Sequence, residues 1–169
     1  VLGDLTLKSR RNIVSYFSKE KSTEARRLLR YPEDTAGGLM TTEVVVLSRE
    51  TTASRAIRHI REKAKEYEAV YYIYIVDRNK LVGVLSLREL VLASPREKLE
   101  KIMDPDIIKV PVDMDQEEVA YIIADYDLLA VPVVDKNNKL LGIVTVDDVI
   151  DVIEEEVTED MGHLAGTGV

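Results

Sequence analysis

The chain has 169 residues, enough for one compact domain with a real core or for two small ones. Cysteine is absent, which excludes disulfides and thiolate metal sites, and no apolar run approaches the ~18 residues of a membrane span. The net charge of -8 is unevenly spread: residues 1–102 hold 20 Lys+Arg against 14 Asp+Glu, while residues 103–169 hold 3 against 17.

The periodicity of Ile13, Val14, Phe17, Leu28 and Leu29 predicts helix over Leu5–Leu29, with a start signal at Ser22-Thr23-Glu24. Its basic residues, from Lys8 to Arg30, have no interleaved aromatics and no nucleic-acid motif. They are expected as a solvated face or as a contact for the acidic half, so no nucleic-acid partner is expected. Tyr31-Pro32-Glu33-Asp34-Thr35-Ala36-Gly37-Gly38 then breaks the helix. Val44–Leu47 reads as a strand, followed by a helix capped by Thr52 or Ser54 and carrying Ala56, Ile57 and Ile60. Strands at Val70–Val76 and Leu81–Ser86 flank a turn at Asp77–Lys80, and a helix runs from about Leu87 to Leu92. The same plan follows at Ile107–Val110 (strand), Gln116–Tyr126 (helix), Ala130–Val134 and Leu140–Thr145 (strands), with a helix from Val146. The early helix of the first copy is predicted to be about five residues longer than its counterpart.

Two stretches are near copies. Val76-Asp77-Arg78-Asn79-Lys80-Leu81-Val82-Gly83-Val84-Leu85-Ser86-Leu87-Arg88-Glu89 matches Val134-Asp135-Lys136-Asn137-Asn138-Lys139-Leu140-Leu141-Gly142-Ile143-Val144-Thr145-Val146-Asp147-Asp148, with one extra residue in the second turn. Leu39-Met40 and Ile102-Met103 open the copies about 60 residues apart. One supersecondary unit built twice implies two α+β units that bury faces against each other.

These residues resemble the CBS domain: a strand ending in Val-Asp, a hairpin to Gly, then Gly-apolar-apolar-Ser/Thr-x-x-Asp/Glu entering a helix. They stand as Gly83–Glu89 and Gly142–Asp148, with Ala130-Val131-Pro132-Val133 beside them. The segment from Tyr31 to Met40, and Val152–Asp160 at the other end, resemble the flanks of the MgtE magnesium transporter family. The resemblance implies a helical remnant at 1–36, CBS domains at 37–100 and 101–155, and the start of a connecting helix at 156–169. It implies a homodimer through the CBS pairs. It also implies a location at the cytoplasmic face of the cell membrane, a transmembrane domain of its own in the full-length protein, and an N-terminal domain mostly missing from this stretch.

The acidic half carries its own chemistry. From Asp147 to Asp160 there are eight acids and no base. On a helix, Val149, Ile150, Ile153 and Val157 form one stripe, and Asp148, Asp151, Glu155 and Glu159 another. At about 6 Å and an effective dielectric near 20, each like-charge pair costs roughly 2–3 kcal/mol, less where solvent screens it. Oxygen ligands without His or Cys suit Mg2+ or Ca2+ over zinc. A solvated amphipathic helix is the competing reading. The resemblance implies Mg2+ ligands at Asp148, Asp151, Asp127, the carbonyls of Ala124 and Gly37, and Asp115. It also implies that Glu156, Glu159 and Asp160 are acids near the connecting helix that reaches the pore.

CBS pairs often bind ATP or another adenosine nucleotide, with the Ser/Thr hydroxyl and helix start taking phosphate and the carboxylate taking ribose. Thr145 and Asp148 lie in the acidic half, which repels phosphate. Ser86, Arg88 and Glu89 lie in the basic half, with Tyr71 as a wall for adenine, although Leu128 stands where an aromatic would stack. No catalytic constellation is visible: His59 and His163 stand alone, and no enzyme activity is expected. The expectation is a Mg2+-sensing regulatory region whose acidic clusters, once neutralised, compact a dimer and favour pore closure. The alternative is a nucleotide-sensing CBS pair regulating another output domain.

Overall fold

A computed structural model describes residues 30–67 and 70–167, so the helix predicted over Leu5–Leu29 lies outside the described residues. In chain order the elements are α1 (Ala36–Leu39), β1 (Val45–Ser48), α2 (Ala53–Lys63), β2 (Tyr72–Asp77), β3 (Lys80–Ser86) and α3 (Leu87–Leu92). They continue as α4 (Leu99–Ile102), β4 (Val110–Pro111), α5 (Gln116–Asp125), β5 (Ala130–Val134), β6 (Leu140–Thr145) and α6 (Val146–Thr167). Each copy builds a three-stranded sheet, β1-β2-β3 and β4-β5-β6, with a parallel first pair and an antiparallel hairpin.

The hairpins explain the one-residue offset. Arg78 and Asn79 both take left-handed backbone angles (φ 49° and 67°), the two-residue turn that matches strand twist. In the second hairpin only Asn138 is left-handed (φ 62°), and the Asp135 carboxylate accepts the Asn137 and Lys139 N–H groups at 2.8 and 3.0 Å. Each hairpin carries a bulge beside a glycine, Gly83 opposite Ile75 and Gly142 opposite Val133.

Two sequence readings need correction. Against the expected excess of about five residues, α2 (11 residues) exceeds α5 (10 residues) by one. The chain turns after Lys63, where the Glu66 N–H donates to the Lys63 carbonyl (2.8 Å) and the two side chains pair at 3.2 Å. The strand predicted at Ile107–Val110 pairs only at Val110 and Pro111. Pro111 and, opposite this stretch, Pro132 have no N–H to donate, which limits the ladder.

The two copies exchange their lead-in arms. Ala36 and Met40 are buried in the core of the second copy, with Val110, Val119, Ile123, Val131 and Val144. Leu99 is buried in the core of the first, with Val45, Ile73, Ile75, Leu85 and Leu90, and Met103 packs against that core. The backbone bonds repeat in register. Ala36 and Gly37 donate to the Met114 and Val112 carbonyls (both 2.8 Å), and Leu99 and Glu100 donate to those of Thr51 and Arg49 (2.8 and 3.1 Å). Each arm then adds a rung to the far sheet, Thr41 with Ile143 and Asp104 with Val84.

A third cluster lies between the sheets: Tyr74, Leu81, Ala130, Val134 and Ile143. Tyr74 is 1% exposed, and its hydroxyl has no hydrogen-bond partner among the described residues. A buried, unpaired hydroxyl costs about 1–3 kcal/mol, so Tyr74→Phe is expected to raise stability by about 1 kcal/mol in urea titrations. Burial, aided by Tyr72, pushes the Tyr74 phenol above its ordinary range. A folded-state value above the unfolded one means this group's contribution is intact below about pH 10 and is lost as pH rises further. Tyr74→Phe should therefore flatten alkaline unfolding above about pH 10.

Candidate functional site

The acids singled out by sequence fall into two groups at the ends of α5. At its amino end Asp115 is the N-cap, its carboxylate accepting the Glu117 N–H at 3.1 Å, and it pairs in a bridge with Thr35. Gly37 is buried beside it, donating its N–H to Val112. At the carboxyl end the Ala124 carbonyl accepts the N–H groups of Tyr126 and Asp127, and Asp127 turns left-handed (φ 51°) to end the helix. Ala124 and Asp127 are exposed there, where the helix dipole leaves partial negative charge. Val146 donates to the Leu129 carbonyl at 2.9 Å, which brings the start of α6, and with it Asp147, Asp148 and Asp151, to this same end. Ten helical residues put about 15 Å between the two ends of α5. Asp115 and Gly37 therefore cannot share an ion with the Asp127 group of the same chain.

On α6, Asp148 is half-buried and its Oδ2 accepts the Thr145 hydroxyl at 3.1 Å, while Asp151 is exposed. Of the predicted apolar stripe, only Val149 (3% exposed) packs inward, and its partner is Val152 (4%). Ile150 (50%) and Ile153 (48%) face outward, as do Val157 and Met161. The helix thus has two apolar faces, and one remains uncovered. Glu156, Glu159 and Asp160 fall on α6, but their side chains lie outside the described residues. Among the described residues no three His, Cys, Asp or Glu side chains come together around a common cation position. Carboxylates spaced singly or in pairs suit a hard cation that keeps most of its waters, not a closed cage of protein ligands.

The Ser86 step is already engaged with itself. The Ser86 hydroxyl accepts the Glu89 N–H at 3.1 Å and donates to Glu89 Oε2 at 3.0 Å, and the same oxygen accepts the Ser86 N–H at 2.8 Å. This reciprocal cap starts α3 without any ligand. Ser86→Ala should cost about 1 kcal/mol in ligand-free thermal melts. Arg88 is exposed beside it, and half-buried Tyr71 packs against the cluster between the sheets. Leu128, at the position of the missing aromatic, is half-buried against the second copy's core.

Sequence reasoning missed an ionic hub. Arg49, just past β1, bonds Glu100 at 3.0 Å and Asp77 at 3.2 Å, and nearby Lys98 bonds Glu50 at 2.7 Å. The Lys98 ammonium holds the Glu50 carboxyl below its ordinary range through a hydrogen bond and charge, and Glu50 raises Lys98 in return. Both groups are exposed, so the pair contributes little to stability. His59 is half-buried, with Nε2 at 3.5 Å from the Tyr67 hydroxyl.

A family model described as the CBS domain matches residues 36–96 and 99–155. The magnesium transporter MgtE of Thermus thermophilus is 45% identical over 99% of this chain and 39% of its own length. That of Enterococcus faecalis is 46% identical over 89% of this chain and 33% of its own. The chain therefore spans a third to two-fifths of these relatives. Among solved structures, the soluble part of a magnesium transporter superposes with a TM-score of 0.85 at 44% identity, covering 92% of this chain and 61% of that one. The cytosolic domain of the Mg2+ channel MgtE in complex with ATP superposes with a TM-score of 0.81 at 46% identity, covering 84% and 58%. Two copies of one α+β unit, the repeated Gly-to-Asp/Glu step and these matches agree: the chain is a tandem CBS pair and belongs to the CBS domain family, similar along its length to the cytosolic part of MgtE magnesium transporters.

Proposed function

We propose that this CBS pair is a non-catalytic Mg2+-sensing regulatory region of a magnesium channel or transporter, acting as a homodimer at the cytoplasmic face of the membrane. The supporting observation is the grouping of Ala124, Asp127, Asp148 and Asp151 at one end of the α5–α6 pair, where among the described residues no three side chains close on one ion. Acids arranged this way repel one another without cations. They gain ligands when a second surface, from the partner chain or the upstream domain, supplies the rest of the shell. The uncovered face of Ile150, Ile153 and Val157 gives that second surface an apolar seat. Asp115 and Gly37, and Glu156, Glu159 and Asp160 further along α6, are the next candidates in the same scheme. A ligand shifts an equilibrium only by its differential affinity for two states, so shared sites are the ones that switch. Neutralised acids let the dimer compact, and α6 carries that change towards the pore.

Small-angle scattering and limited proteolysis across a magnesium titration test this. A smaller radius and slower cleavage at millimolar Mg2+ are expected. An unchanged radius with unchanged cleavage would count against sensing.

A nucleotide reading has one observation in its favour, the similar MgtE cytosolic domain solved with ATP. In this chain ATP would meet Ser86, Arg88, Glu89 and Tyr71, and would have to displace the Ser86–Glu89 cap. Calorimetry separates the readings: micromolar ATP binding with no magnesium response favours nucleotide control of another output domain.

A further inference from the structure

The exchanged arms place the two ends of the chain on one core. Ala36 and Met40 of the incoming arm are buried with Val119, Ala120 and Ile123 of α5 and with Val149 of α6. Half-buried Tyr31 packs on the same core, and it lies so close to Gly37 that an added Cβ would stand 2.5 Å from its ring. The Asp34 carbonyl accepts the Gln116 N–H at 2.8 Å, fastening the arm to the first residue of α5. The chain then leaves to build the whole first copy and returns for β4, α5, β5, β6 and α6.

The two arms are not held alike. Matching the backbone bonds aligns Glu100 with Gly37 and Arg49 with Val112. The arm on the first copy is therefore clamped by the Arg49–Glu100 ion pair, with Lys98–Glu50 beside it. At the equivalent positions stand Gly37 on the incoming arm and Val112 in the second copy, neither charged, joined by a backbone bond and apolar packing.

We infer that a displacement of the chain upstream of Tyr31 passes to α6 through the second copy, and that the first copy lies beside this route, not on it. In the first copy the upstream chain has a sequence neighbour; in the second it has its mechanical partner.

Amide hydrogen exchange on this chain, without added ligand, provides the measurement. Tyr31→Ala loosens the incoming arm, and Leu85→Ala loosens the core of the first copy. Tyr31→Ala is expected to speed exchange at least about tenfold in α5 and in Val146–Ile153, and less than about twofold in β1–β3. Leu85→Ala is expected to do the reverse, speeding β1–β3 and α4 while sparing Val146–Ile153. Should Tyr31→Ala fail to melt cooperatively, Tyr31→Leu replaces it and is judged by the same pattern. Equal acceleration of both copies by Tyr31→Ala would overturn the inference, as would acceleration of α5 that leaves α6 untouched. Because no ion is present, this outcome is independent of magnesium sensing.

Discussion

Gly142→Val is expected to destabilise the chain by about 3–5 kcal/mol. A Cβ at this position would stand 2.6 Å from the Thr41 carbonyl oxygen, a backbone atom with nowhere to retreat. Thr41 and Ile143 exchange two hydrogen bonds across this contact, at 2.9 and 3.0 Å. The substitution therefore adds overpacking of about 1–3 kcal/mol and loses two hydrogen bonds of about 1 kcal/mol each. At this chain length that lowers the melting temperature by about 10 °C. Gly83 is the equivalent residue of the first copy, but its near neighbours are side-chain atoms of Met103. The Met103 thioether can swing away, but its Cβ, 2.9 Å from an added Cβ, moves only with the backbone, so Gly83→Val should cost about 1–3 kcal/mol, less than Gly142→Val. Parallel thermal melts decide the matter. Equal losses at the two glycines would show that the approach of the backbone at Thr41 is not what demands glycine.

Asp148→Asn and Asp151→Asn should separate stability from magnesium response. Asp148 lies in the first turn of α6 and accepts the Thr145 hydroxyl, so its charge favours the helix dipole by about 0.3–1 kcal/mol. Its repulsion with Asp151, three residues on, costs only about 0.2–0.5 kcal/mol. The favourable effect wins, and Asp148→Asn should lower ligand-free stability by up to about 1 kcal/mol. Asp151 stands beyond that turn and is exposed, so Asp151→Asn should leave ligand-free stability unchanged or slightly raised. At a hundred times its dissociation constant, a single bound ion stabilises by about 2.7 kcal/mol, a rise of roughly 5–10 °C. The double substitution should remove most of the rise that magnesium produces in the wild type. A rise that survives intact would move the sensing acids elsewhere on the chain.

Much of the fold was legible because its signals are local. Asp77-Arg78-Asn79-Lys80 announces a hairpin, Thr52, one of two candidate caps, starts its helix, and β5, β6 and the start of α6 fall where the pattern puts them. The misreadings share a cause. Ile150 and Ile153 fit an apolar stripe as well as Val152 does, and only the position of α5 decides which edge is buried. Likewise Leu39-Met40 reads as the opening of the first copy, and nothing in its composition reports that it packs on the second. The Arg49 hub joins residues as far apart as Arg49 and Glu100, beyond any helical or strand period. Its one clue was the alignment of the arms, which puts a charged pair opposite Gly37 and Val112. The sequence names the candidate residues, but not their division between the two ends of α5.

The exchanged arms also set an order for folding. Thr41 finds its rung on Ile143, about a hundred residues later, and Val84 waits for Asp104. On the ribosome the first copy is complete once the second arm has emerged through Asp104, well before the second sheet exists. Met40 has no core to enter until β6 is made. Contacts of such span slow folding. The first copy is thus born as a finished module, and the second as an unfinished one with its oldest piece held open until the end.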